Sequence, residues 1–161
     1  RILSYELKDL EKMKKGSQSD SSLARMFFKR ESSEGYTRKD KECYLCKNID
    51  KTMSEYIDTL VKLWEDNKEF RNLYSESKGF CLNHFHSVIR QSHRVAKKLA
   101  REEFVNMSFR IQQENMARLF EEINWFIKKF DYRYADEPWK TSRDSLFRSI
   151  IKLVGNFNGD L

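Results

Sequence analysis

The chain has 161 residues, of which 39% are apolar, 14% aromatic and 35% charged; this suits one folded domain with a buried core and excludes a disordered chain. The formal charge of +6 is a small excess, with Lys and Arg interleaved with Glu and Asp almost throughout, which describes a salt-laced helical surface better than a nucleic-acid-binding face. One proline and five glycines leave room for long helices, and no apolar run approaches the roughly 20 residues that span a bilayer.

Leu3, Leu7, Leu10 and Met13 fall on one helical face of residues 1–15, and Gly16 stops that helix. Ser21 or Ser22 caps a second, short helix with Leu23, Met26 and Phe27, so that residues 1–30 form an N-terminal helical arm. Residues 31–41 are polar and read as an exposed connection. After Cys46, the positions Ile49, Met53, Tyr56, Ile57, Leu60, Leu63 and Trp64 make a wide apolar stripe on a long helix. The pattern breaks around Asp66 and Asn67. A short helix follows, with Phe70, Leu73 and Tyr74 inward, and Gly79 supplies a left-handed turn. A helical pattern then runs from Cys81 through Phe85, Val88, Ile89 and Leu99 to Phe130, as two helices or one helix bent near Ala100. Pro138 keeps residues 131–139 out of helix interior. Thr141 or Ser142 caps a last helix with Leu146, Phe147, Ile150, Ile151 and Val154, ended by Gly155. With no strand-like alternation, the expected fold is all-α, an irregular bundle of about six helices. It is a single domain over residues 1–161, with its motifs in residues 43–155.

All three cysteines lie in one stretch, as Cys43-Tyr-Leu-Cys46 and Gly79-Phe80-Cys81-Leu82-Asn83-His84. An odd number cannot pair fully, and a chain of this length has no need of a disulfide framework, so a reducing, cytoplasmic setting is expected. The chain opens on Arg1 rather than Met, which leaves an upstream leader open. Cys43, Cys46, Cys81 and His84 form a Cys₃His set, a standard tetrahedral zinc set. Both pairs have two residues between their members. On a helix such positions share a face, and helix N-termini favour thiolate. The expected site is a closed structural Zn²⁺ that fastens two helix starts together. His86 is a rival fourth ligand, but lies about 140° around the helix from Cys81. Iron–sulfur ligation is a lesser alternative. Thioredoxin-like redox chemistry would need a βαβ context, and a catalytic zinc would keep an open position. There is no HExxH, Ser/His/Asp pattern or Gly-rich phosphate loop, so no catalytic residue and no further cofactor site are assigned.

Weaker features have bland readings. His93 near Glu102 and Glu103 reads as a surface or half-buried histidine, and Glu114, Glu121 and Glu122 as a solvated face beside Arg118 and Lys128. The aromatic group Trp125, Phe126, Phe130, Tyr132, Tyr134 and Trp139 reads as core where the last helix docks. Lys97, Lys98 and Arg101 form a short basic patch, a weak nucleic-acid signal.

In combination, Cys43-Tyr-Leu-Cys46, Tyr56-Ile-Asp-Thr-Leu60, Leu63-Trp64, Glu69-Phe-Arg71, Ser77-Lys-Gly-Phe-Cys-Leu-Asn-His-Phe85 and Asn124-Trp-Phe126 carry a family resemblance. So do Lys129-Phe-Asp-Tyr-Arg-Tyr134, Asp136-Glu-Pro-Trp139 and Ser142-Arg-Asp144. The chain resembles, over roughly residues 40–155, an uncharacterised bacterial domain-of-unknown-function family found mostly in Firmicutes. Some of its members are loosely labelled ABC-transporter substrate-binding proteins. Members have a further upstream CxxC and GFCxxH pair, so the chain resembles the C-terminal part of such a protein. The resemblance implies a cytosolic, metal-bound helical protein and supplies no reaction. The functional expectation is a zinc-binding interaction or regulatory module without enzymatic activity, partnered by another protein or by a second copy. A metal- or redox-responsive thiolate switch and a nucleic-acid-binding module are the alternatives.

Overall fold

The computed structural model describes Tyr5, Glu6, Lys8, Asp9, residues 43–95 and residues 97–155. Among these are five α-helices and no strand: α1 (Tyr44–Asp66), α2 (Lys68–Ser75), α3 (Leu82–Val95), α4 (Lys98–Lys128) and α5 (Ser145–Val154), with a 3-10 turn at Tyr132–Tyr134. The all-α class holds, and among the described residues the count is five rather than about six. The expected number included two helices before residue 31; of that arm only Tyr5, Glu6, Lys8 and Asp9 are described, and these are helical.

Local chemistry sets the helix ends. Asn67 closes α1 through its N–H to Leu63 O at 2.9 Å and opens α2 by accepting the Phe70 N–H on Oδ1 at 2.9 Å. Arg71 reaches back from α2 to the last carbonyls of α1, with Nε on Trp64 O at 2.6 Å and Nη2 on Glu65 O at 2.8 Å. The break between α3 and α4 falls at Lys97, not near Ala100. Its extended backbone points the N–H at Glu65 Oε1, 2.7 Å away, so an acceptor on α1 ends the helical ladder, which periodicity within the segment cannot reveal.

Two contacts fix the sense of packing. The end of α1 meets the start of α4 at Glu65–Lys97, and mid-α1 meets α3 where Ser54 Oγ donates to the Gln91 side-chain amide at 2.8 Å. Hence α1 and α3 run in the same sense. The chain returns along α2 and the following loop, whose Tyr74 ring lies 5.4 Å from Trp64 and 6.2 Å from Phe80. The N-termini of α1 and α3 therefore point toward the same end of the bundle.

The core has two parts. Trp64, Tyr74 and Phe104 pack with Ile57, Val61, Val88 and Ile111, and the Trp64 ring stands edge-on to Phe104 at 5.5 Å. Phe85, Ile89, Val105, Phe109 and Met116 fill the α3–α4 seam, with Phe85 and Phe109 T-shaped at 5.1 Å. Tyr74 and Ser108 share a buried hydrogen bond of 2.8 Å.

The last helix departs from expectation. Thr141 and Ser142 do not cap it, because their hydroxyls go to Glu122 Oε1 (3.1 Å) and Trp139 O (2.7 Å). The N-cap is Asp144, whose carboxylate takes Arg148 Nη2 at 2.8 Å. The buried face of α5 is Ser145, Ser149 and Lys152, while Leu146, Phe147 and Val154 are exposed. Nor is the aromatic group the core where α5 docks. Phe130 and Tyr132 are exposed, and residues 134–139 wrap around Lys129, whose Nζ donates to Tyr134 O, Ala135 O and Glu137 O at 2.7, 2.7 and 2.5 Å.

Candidate metal centre

Cys43 is the N-cap of α1. Its carbonyl accepts the Lys47 N–H at 3.1 Å, and its Sγ accepts the N–H of Cys46 at 3.4 Å. Cys46 is thus the third helical residue. The Cys46 N–H and side chain, with the Leu45 N–H, hold the Cys43 thiol below its ordinary pKa against the opposing effect of burial. The second pair repeats the arrangement. The Cys81 carbonyl accepts the Phe85 N–H at 2.8 Å, which places Cys81 at the N-cap of α3 and His84 at its third position. The Cys81 Sγ and His84 Nδ1 are 3.2 Å apart. N-cap and third-position side chains meet over the open turn of a helix, as in a capping box. His86 turns its ring edge-on to Phe85 at 6.1 Å, so His84 is the histidine beside Cys81.

All three cysteines are free thiols, half-buried, and His84 is exposed. The sequence-predicted ligands are brought together two by two. Among the described residues no three His, Cys, Asp or Glu side chains gather where they could hold one ion. Three sulfurs and an imidazole nitrogen suit zinc by type, and the pairs suit it by spacing. The two halves stand apart at helix starts that face the same way.

Sequence reasoning missed the support under Cys81. Gly79 is left-handed (φ +67°), as expected, and a Cβ on it would meet Gln112 Oε1 at 2.8 Å. Gln112 and Lys152 are both buried; Lys152 Nζ donates to Gln112 Oε1 at 3.0 Å and to Lys78 O at 2.7 Å. Burial lowers the Lys152 ammonium to about 8, and attraction to Cys81 opposes this. One signal was present: Ser145, Ser149 and Lys152 make a polar i, i+4, i+7 stripe on a helix whose other residues, Arg148 apart, are apolar.

The remaining candidates separate. Glu122 is held by Arg118 at 2.8 Å and Arg148 at 2.6 Å, so it is a structural acid rather than a ligand. Glu121 is exposed and Glu114 is 3.9 Å from Arg110. Lys97 and Lys98 are exposed at the start of α4, and the side chain of His93 lies outside those described. A groove of about 690 Å³ between α2 and α4 is lined by Trp64, Arg71, Ser75, Glu103, Asn106 and Arg110 among others. No helix among the described residues is long and apolar enough to cross a membrane.

A family profile matches residues 2–160 of the chain. The chain belongs to the family of unknown function DUF6062. The DUF6062 match takes in the N-terminal arm as well as residues 40–155, where the sequence motifs lie. No curated protein and no solved structure matches the chain.

Proposed function

We propose that this chain is a zinc-binding helical module, non-enzymatic, acting in interaction or regulation, with Cys43, Cys46, Cys81 and His84 as the ligands of a structural zinc. The observation that carries the reading is the repeated placement of both pairs at the N-cap and third position of helices that run in the same sense. Each pair is a ready bidentate half-site with helix N–H groups beside it, and a metal would join the halves by closing one end of the bundle. Zinc in such a site contributes on the order of 10 kcal/mol, comparable to the stability of a whole domain. Elemental analysis of protein purified without added metal tests the reading, with Cys81→Ser and His84→Ala alongside. About one zinc per chain, lost in both variants together with thermal stability, is expected. Metal-free wild-type protein overturns it.

A second reading rests on Cys43, whose thiolate is favoured by its N–H partners and whose neighbour is another thiol. Peroxide would take two electrons from the Cys43 and Cys46 thiolates and two protons from solvent, forming a disulfide and two waters and releasing the ion. Zinc release under mild peroxide, reversed by added thiol, is expected of a redox switch; a site inert to peroxide removes that reading.

A further inference from the structure

We infer that Lys152 and Gln112 are positioning residues for the Cys81–His84 half-site: they clamp the carbonyls on either side of Gly79 and so fix where Cys81 enters α3. The inference rests on the zinc reading above.

Lys152 comes from α5 and Gln112 from mid-α4, and the segment they hold precedes α3. Lys152 Nζ donates to Lys78 O at 2.7 Å, Gln112 Nε2 donates to Phe80 O at 3.0 Å, and the two side chains join through Nζ and Oε1 at 3.0 Å. A buried ammonium and a buried amide cost stability unless they are fully partnered, and apolar residues of like size would fill the same space at lower cost. Their partners here are two carbonyls of a segment that has no helix of its own to satisfy it. The left-handed Gly79 fits the same device, since a Cβ there would lie 2.8 Å from Gln112 Oε1 and 3.4 Å from Lys152 Nζ. The end of α5 also lies beside Cys81, since a Cβ on Gly155 would be 3.6 Å from its Sγ. The Gly79-Phe80-Cys81 turn is therefore set from three sides, by α4, by α5 and by its own capping bond to Phe85. The Cys43–Cys46 pair depends on its own helix start instead, through the Cys46 N–H and the Cys43 carbonyl.

The test is metal affinity. Zinc dissociation constants by chelator competition, and Co²⁺ thiolate charge-transfer spectra, are measured for wild type, Lys152→Met, Lys152→Arg and Gln112→Leu, with far-UV circular dichroism of each. Residues that orient a ligand are worth about 10–100-fold in metal affinity, so losses of that size are expected in Lys152→Met and Gln112→Leu at unchanged helix content. The Co²⁺ spectrum should lose part of its thiolate intensity, and Lys152→Arg should recover part of the affinity. Folded Lys152→Met or Gln112→Leu with wild-type affinity and spectrum overturns the inference while leaving the zinc reading intact. Wild type that takes up no metal overturns both. Should Lys152→Met not fold, Gln112→Leu and Lys152→Arg decide it by the same readouts.

Discussion

Tyr74 is buried where α2 meets α4, and burial carries its phenol from the usual 10 up to about 12, with the bond to Ser108 pulling the other way. The folded protein thus keeps a proton that the unfolded chain gives up. Below pH 10 this has no effect on stability. Between pH 10 and 12 it destabilises the fold progressively, by about 3 kcal/mol in all, since each pKa unit is worth about 1.4 kcal/mol. Urea unfolding from pH 9 to 12 should show this extra alkaline loss in wild type and not in Tyr74→Phe; parallel curves would contradict it. Gly79 was legible from sequence as a left-handed residue, but the reason no side chain fits was not, because Gln112 is 33 positions away. Gly79→Ala combines a strained backbone with a clash, and should cost on the order of 2 kcal/mol in chemical unfolding. A neutral result would mean that the segment relaxes freely and that the clamp is soft.

Helix existence was legible because a 3.6-residue period survives in α1 to α4, and Ile57, Trp64, Phe85, Val88 and Ile89 are buried as their spacing required. Helix faces were less so. In α1 the stripe is wider than the contact, so Ile49 and Tyr56 remain 64% and 67% exposed while Val61 is fully buried. In α5 the serine side packs inward, with Ser149 Oγ donating to Ser145 O at 2.7 Å, while Leu146, Phe147 and Val154 stay out and Leu153 packs on the core. Charge helps to hold α5 in that orientation. Glu122, 10% exposed, joins Arg118 of its own helix to Arg148 of α5 at 2.8 and 2.6 Å. Glu122→Ala should lower stability by about 2 kcal/mol, as expected for a hydrogen bond to a charged group. Proteolytic nicking between residues 131 and 145 should then precede global unfolding. Arg133→Ala, which removes the exposed pair with Asp131, should leave the melting temperature where it is. Equal effects of the two substitutions would show that the Glu122 network does not hold the helix.

Across the described residues, one end of the bundle is secured by contacts that no metal-ligand spacing announces. Trp64, Tyr74 and Phe104 pack there, Arg71 caps α1, and Glu65 receives the start of α4. The other end carries the four residues that the sequence marked at once, because two CX₂ spacings use every cysteine in the chain. Spacing of that kind defines pairs; the path of α2, which returns the chain so that α1 and α3 start on the same side, lies in long-range packing and is not written in any local pattern. The asymmetry leads to a prediction about where zinc acts. Amide hydrogen exchange followed by mass spectrometry, with zinc and with a chelator, should show protection gained in the first turns of α1 and α3 and in the Lys78–Phe80 segment. Peptides around Trp64 and Phe104 should change least, since their contacts do not involve the ligands. A uniform change along the chain would mean that metal stabilises the fold globally, and no change at either helix start would mean that the four residues do not share an ion.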